Sequence, residues 1–255
     1  MTARAAERLR AMHHGPRPLV IPNVWDPASA REFAAAGFGA LATSSAAVAA
    51  TLGYSDGQTP GEEMLAAVAR IARSVDVPVT ADFEHGYDLP PAELASRLTG
   101  AGLAGCNLED SSPVSRTLAE PARQADFLAA VRAAAGPGLV INARIDVFIR
   151  PRAAGAAAEE EAIAEAIRRA RAYLAAGADC VYPIIAPPES LRRLVAEIAG
   201  PVNAMRYPGG PTLAELAAAG IARISFGGSL HHSAMQAVRE LAGQLAAEEA
   251  GLTAS

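Results

Sequence analysis

Asp82 and Glu84 close the run Val77-Pro78-Val79-Thr80-Ala81-Asp82-Phe83-Glu84-His85-Gly86-Tyr87, so an apolar, β-branched segment delivers two carboxylates where the chain turns. The pattern recurs where Cys106-Asn107-Leu108 leads into Glu109-Asp110, and again where Leu139-Val140-Ile141-Asn142-Ala143 leads into Arg144 and Asp146. Carboxylates held at strand ends suit a hard, oxygen-seeking ion such as magnesium, with manganese the alternative. Asp82 is the candidate direct ligand. Glu84 and Glu109 are placed to reach the ion through its waters, because magnesium keeps several waters and takes only one or two protein carboxylates. Arg144 offers a planar fork suited to a substrate carboxylate, and an ion pair with Glu109 or Asp146 would hold that fork in position. Thr43-Ser44-Ser45-Ala46 ends another apolar run, and backbone N–H groups at such a turn can cradle a carboxylate or an enolate oxygen. On its own, Asp56 in Gly53-Tyr54-Ser55-Asp56-Gly57 reads as a turn residue.

Functional groups gathered at the carboxyl ends of buried strands are what parallel α/β barrels and open α/β sheets place around a ligand. Eight apolar runs recur along the chain: Leu19 to Pro22, Ala40 to Ser45, Val77 to Glu84, Gly105 to Asp110, Leu139 to Asp146, Asp179 to Ile185, Pro201 to Met205 and Ile221 to Gly227. Between them lie Ala-, Leu-, Arg- and Glu-rich segments with helical spacing, as in Leu65, Val68, Ala69 and Ala72. Gly37, Gly102, Gly177 and Gly220 stand where helices should stop before the next strand. Ala156 to Ala176 predicts a helix with glutamates early and arginines late, and Ser233 to Glu249 predicts a final long one. Eight such units favour a closed (β/α)8 TIM barrel formed by residues 1–255 as a single domain, with 229–255 as C-terminal helix and tail.

Composition narrows the function. A net charge of -5, with arginines scattered among acids, makes nucleic acid and anionic membranes poor partners and favours a small molecule. The first residues lack the continuous apolar stretch of a signal peptide, so a cytoplasmic protein is expected. The chain contains no lysine, which rules out Schiff-base chemistry on a lysine amine. Cys106 and Cys180 fall in apolar runs and read as core residues. The doublets His13-His14 and His231-His232 read as surface or inter-subunit residues, whereas His85 is left open by its place beside the acidic pair. Glycines in Phe226-Gly227-Gly228-Ser229, after the eighth run, raise a competing phosphate-site reading.

The motifs together resemble the isocitrate lyase and phosphoenolpyruvate mutase superfamily. The resemblance rests on Asn23-Val24-Trp25-Asp26, Thr43-Ser44-Ser45, Leu52-Gly53-Tyr54-Ser55-Asp56, Asp82-Phe83-Glu84-His85-Gly86-Tyr87, Gly105-Cys106-Asn107-Leu108-Glu109-Asp110 and Ala143-Arg144-Ile145-Asp146. It implies a magnesium-bound barrel whose last helix is exchanged between subunits of a homodimer or homotetramer. A small 2-oxo acid would be held by Trp25, Ser44, Ser45, Ala46, Asp82, Arg144 and Asn203, with Asp56, Glu109 and Arg144 as catalytic residues. Members stabilise an enolate formed when a C–C or P–C bond beside the oxo acid breaks. Two departures redirect the expectation. Where the lyases of the family carry a Lys-Cys-Gly-His loop and the mutases a lysine and an asparagine, this chain reads Ser111-Ser112-Pro113-Val114-Ser115-Arg116. Ile184 stands where the lyases carry an acid, which disfavours a tricarboxylate. The expected activity is therefore cleavage at carbon 3 of a short, oxaloacetate-like acid, by decarboxylation or retro-aldol reaction. A phosphonomutase-type isomerase or P–C hydrolase, and a non-catalytic 2-oxo acid binder, are the alternatives.

Overall fold

The computed structural model describes residues 2–111, 117–149 and 155–253. Among the described residues nine strand segments occupy eight positions around a parallel barrel. They are β1 (Leu19–Val20), β2 (Asn23–Val24), β3 (Leu41–Thr43), β4 (Val79–Asp82), β5 (Gly105–Glu109), β6 (Val140–Ile145), β7 (Cys180–Pro183), β8 (Asn203–Met205) and β9 (Arg223–Ser225). The order β2-β3-β4-β5-β6-β7 is continuous, β1 pairs with β9 and β9 with β8, and a parallel bridge between Val181 and Val202 joins β7 to β8. The first expected strand is thus two pieces. Pro22 has no N–H to give to a ladder, so the chain pairs with β9 before it and with β3 after it. Every other expected run contains one strand, shorter at its ends. Glu84, expected inside a strand, instead lies in the turn that follows, with φ +50.

The helices are α1 (Thr2–Met12), α2 (Pro27–Ala35), α3 (Ser45–Leu52), α4 (Gly61–Ala72), α5 (Pro91–Gly100), α6 (Pro121–Ala135), α7 (Ala156–Ala175), α8 (Leu191–Glu197), α9 (Leu213–Ala218) and α10 (Ser229–Thr253). Their starts are locally encoded. Asp26 accepts from the Ser29 N–H, Pro27 supplies the first turn of α2, and Ser44 accepts from the Ala47 N–H to start α3. Gly37, Gly102, Gly177 and Gly220 all follow helix ends with φ between +83 and +97, the conformation that stops a helix at little cost only for glycine.

Two apolar layers hold the barrel. The larger lies between strands and helices and includes Leu41, Phe83, Leu108, Ile141 and Tyr173. A smaller cluster of Leu9, Leu19, Ile21, Ala40, Ala42, Ala104 and Val140 fills the amino-terminal end, where α1 acts as a plug. Asp179 pins that plug by pairing with Arg10 of α1 at 2.6 Å, with Arg132 of α6, and with the Ile141 N–H at 2.8 Å. Cys106 and Cys180 are free and buried. His13 is buried as well, contrary to the surface expectation: its Nδ1 bonds to the Leu9 carbonyl at 2.8 Å, and burial lowers its pKa to about 4. α10 is longer than expected at both ends, and Val238, Leu241, Leu245 and Leu252 stand exposed along it. Among the described residues no helix is long and apolar enough to cross a membrane.

Candidate active site

The carboxyl ends of β3 to β6 bring the acids together. Asp82 is the last residue of β4, and its N–H donates to Thr43 Oγ1 at 3.0 Å, which ties it to β3. Its Oδ2 accepts from Ser45 Oγ at 2.9 Å and from the Ser45 N–H at 3.3 Å. Its Oδ1 is buried without a partner among the described residues. A buried carboxylate oxygen with no donor is costly to keep ionised, and a cation is the natural group to satisfy it.

Glu84 stands in the turn after β4 and Glu109 ends the neighbouring β5, and the Glu109 N–H donates to the Glu84 carbonyl at 2.8 Å. Burial pushes the Glu84 carboxyl up to about 7; the Tyr87 hydroxyl, donating to Oε1 at 2.9 Å, works against that rise, while the charges of Asp82 and Asp56 add to it. Glu109 is pushed up to about 8, again by burial first, with Arg144 opposing and Asp146, Asp82 and Glu84 adding. Asp56 lies exposed in the loop after α3, and its carboxyl is raised by partial desolvation and by Asp82. The acids therefore repel one another through a partly dry site, a repulsion that a bound cation would relieve. Among the described residues no three His, Cys, Asp or Glu side chains converge to hold an ion directly. Asp82 Oδ1 is the one carboxylate oxygen among the buried, unpartnered side-chain atoms of the described residues.

Backbone strain marks the same place. Glu84, Tyr87 and Asp88 all have positive φ (50, 53 and 56), with Gly86 at +91 between them. Non-glycine residues rarely adopt this conformation, and such strain concentrates at functional sites. The Tyr87 ring lies against Gly61, where an added Cβ would fall 2.9 Å from Cγ, so the glycine admits the ring that bears on Glu84. His85 Nδ1 is buried without a partner, and Nε2 lies 3.8 Å from Asp88.

Arg144 is gripped from two sides, Nε at 2.7 Å from Asp146 Oδ1 and Nη1 at 2.7 Å from Glu109 Oε2. Burial alone would lower its pKa, but Glu109, Asp146 and Asp82 outweigh that and raise it. Behind this pair lies a network that sequence reasoning missed. Asp146 Oδ2 accepts from the Ser111 hydroxyl, and the Asp146 N–H donates to Asp110 Oδ1 at 2.9 Å. Asp110 Oδ2 accepts in turn from Arg169 Nη1 at 2.9 Å and Tyr173 OH at 2.8 Å. The Arg144–Asp146 pair is expected from the sequence, whereas Arg169 and Tyr173 reach Asp110 from 59 and 63 residues away and leave no local signal.

The remaining expected residues divide. Trp25 follows β2 and packs edge-on against His231 of α10, ring centroids 5.1 Å apart. The Ser45 N–H is engaged with Asp82, whereas the Ala46 N–H has no acceptor among the described residues and stays available at the start of α3. The Ser44 hydroxyl caps α3. Asn203 is fully buried, with Nδ2 bonded to the Ala204 carbonyl and Ser225 Oγ at 3.0 Å each, and forms no hydrogen bond with the acids. The glycine reading after the last strand loses the Gly227 donor, because the N–H groups of Phe226 and Gly227 both point at Asn23 Oδ1, at 2.7 and 3.1 Å. Residues 112–116 of the expected catalytic loop, including Ser115 and Arg116, lie outside the described residues, and Ser111 commits its hydroxyl to Asp146.

A cavity of about 660 Å³ opens beside Glu109, lined among others by His85, Ser111, Arg123 and Phe127; Asp82, Glu84 and Arg144 are not among its lining residues. Two others of about 610 and 660 Å³, near Arg192 and Tyr207 and near Met12 and Leu213, contain none of the strand-end acids.

A parallel barrel with acids and an arginine at the carboxyl ends of its strands defines a TIM-barrel protein of enzyme type. Residues 9–246 match the family model of phosphoenolpyruvate phosphomutase, and the chain belongs to that family, within the isocitrate lyase and PEP mutase superfamily. A provisionally named phosphonomutase from Burkholderia cenocepacia J2315 superposes with a TM-score of 0.86 at 42% identity, over 94% of this chain and 99% of that one. The oxaloacetate acetylhydrolase structure in complex with oxalate gives 0.83 at 26% identity, over 95% and 87%. A protein of Corynebacterium glutamicum named probable 2-methylisocitrate lyase 1 is 35% identical over 70% of this chain and 59% of its own length.

Proposed function

We propose that this protein is a magnesium-dependent lyase that binds a small 2-oxo acid and cleaves the bond at carbon 3. The observation that carries the reading is the buried, unpartnered Oδ1 of Asp82 beside Glu84, Glu109 and Arg144. Asp82 would hold the ion directly, and Glu84 and Glu109 would hold its waters. When bound, the ion would supply Lewis-acid polarisation to the 2-oxo acid.

The chain's own groups do the rest. Arg144 binds the carboxylate, held in plane by Asp146, and the Ala46 N–H donates to an oxygen that gains charge as the enolate forms. The electron pair of the breaking bond at carbon 3 moves into the enolate, and carbon dioxide or a carbonyl fragment departs. Asp56, exposed at the mouth with a raised pKa, is the group placed to return a proton to carbon 3 of the enolate and, in the retro-aldol route, to take the proton of the hydroxyl that becomes the departing carbonyl. Trp25 would close the ring's edge of the site, and α10, with its exposed leucines, would pack against another subunit of a homodimer or homotetramer.

Similarity to an oxaloacetate acetylhydrolase supports a short dicarboxylate as substrate. The family model itself supports a second reading, a phosphonomutase-type isomerase or P–C hydrolase. The test is oxaloacetate loss and pyruvate formation by purified protein, with and without magnesium, above the metal-only rate, alongside phosphonopyruvate under the same conditions. Turnover of oxaloacetate supports the lyase. Turnover of phosphonopyruvate alone replaces it with the second reading, and saturable binding without turnover of either leaves a binding protein.

A further inference from the structure

The reading above leaves a set of polar side chains inside the barrel without a role. Arg223 of β9 is fully buried, yet among the described residues it forms no ion pair. Its one hydrogen bond runs from Nη2 to Asn107 Oδ1 at 3.3 Å, while Nε and Nη1 have no acceptor. Asn142 Nδ2 donates to the same Asn107 oxygen at 2.8 Å.

These two donors decide which way the Asn107 amide faces. A guanidinium only donates, so Asn107 must turn its oxygen toward Arg223 and Asn142 and its NH2 group away; the reverse would set donors against donors. Nδ2 forms no hydrogen bond with a described residue and is not among the buried atoms, so the small accessible part of Asn107, 7%, includes this nitrogen. Register shows where it faces. Asn107 pairs with Asp82 on one side and Asn142 on the other, and Glu109, two residues on along the same strand face, pairs with Arg144. The amide therefore lies in register with Asp82, two residues before the Glu109–Arg144 pair along the same face.

We propose that Asn107 is a substrate-binding residue whose Nδ2 donates to an anionic oxygen of the bound acid, and that Arg223 and Asn142 are positioning residues that fix the amide in that orientation. The proposal rests on the 2-oxo acid reading. A neutral donor adds attraction for an anionic oxygen without competing with it for the cation, and the unpaired charge of Arg223 below adds a positive potential to a mouth otherwise ringed by acids.

The experiment is a calorimetric titration of oxalate into protein saturated with magnesium, for the wild type, Asn107→Ala and Asn107→Asp, with the melting temperature of each. Asn107→Ala is expected to weaken oxalate binding about ten- to a hundredfold, the usual effect of losing a hydrogen bond to a charged group. In Asn107→Asp one oxygen still accepts from Arg223 and Asn142, so the melting temperature should hold, while the other oxygen now opposes the ligand and binding should fall at least as far. Wild-type affinity in both variants, with or without a lower melting temperature, would reduce Asn107 to a structural residue and overturn the proposal alone. A wild type that binds no oxalate with magnesium would overturn the 2-oxo acid reading and this proposal with it.

Discussion

Ser45 gives both of its donors to one oxygen of Asp82: the hydroxyl at 2.9 Å and the backbone N–H at 3.3 Å meet Oδ2 and leave Oδ1 bare. The first residue of α3 thereby fixes the carboxylate that ends β4. Groups that orient a metal ligand in this way typically change metal affinity ten- to a hundredfold when removed. Ser45→Ala should therefore fold normally and bind magnesium about tenfold more weakly, because the N–H bond survives. Magnesium titration of the two proteins, read by calorimetry, checks this.

The raised carboxyls make stability depend on pH. Glu84 rises from 4.5 to about 7 and Glu109 from 4.5 to about 8, so the folded protein holds these protons more tightly than the unfolded chain. Their contribution is fully present below pH 4.5 and is lost as the pH rises through about 7 and 8. Without divalent metal the melting temperature should fall across that window. Added magnesium should raise it most at the alkaline end, where both acids are ionised, and a melting series with and without the ion reads both effects.

Arg169 of α7 reaches Asp110 at 2.9 Å in a buried pair, and Asp110 in turn fixes Asp146, which holds Arg144. Arg169→Met should destabilise the fold by about 3 to 5 kcal/mol, because it strands a buried carboxylate. Denaturant unfolding measures it, and the companion Asp110→Asn, Arg169→Met double variant should recover part of the loss.

Leu241 and Leu245 are 59% and 65% exposed on α10. If α10 joins subunits, Leu241→Glu with Leu245→Glu should shift sedimentation from the oligomer toward the monomer. On a helix that stays in solvent, the pair would change neither mass nor melting temperature.

Much of the barrel was legible because its signals are local. Apolar runs of strand length, glycines after helices, and acids at run ends all follow from one stretch of chain at a time, and the positions of Asp82, Glu109 and Arg144 at or near the carboxyl ends of β4, β5 and β6 are read that way. What escaped depends on chain segments distant in sequence. Nothing near His13 tells that α1 plugs the barrel floor and buries it, and nothing near Gly227 tells that Asn23 will occupy its N–H. Arg223 lies within the run Ile221 to Gly227, and only the closed barrel brings it to Asn107, 116 residues away.

The most direct test of the whole account is magnesium-dependent turnover of oxaloacetate by the wild type and by Asp82→Ala, matched for folding by circular dichroism. The account predicts pyruvate formation that saturates with magnesium in the wild type and falls at least a hundredfold in the variant, with magnesium no longer raising its melting temperature. Equal magnesium dependence in the two proteins would place the ion elsewhere and contradict the site described at the end of β4.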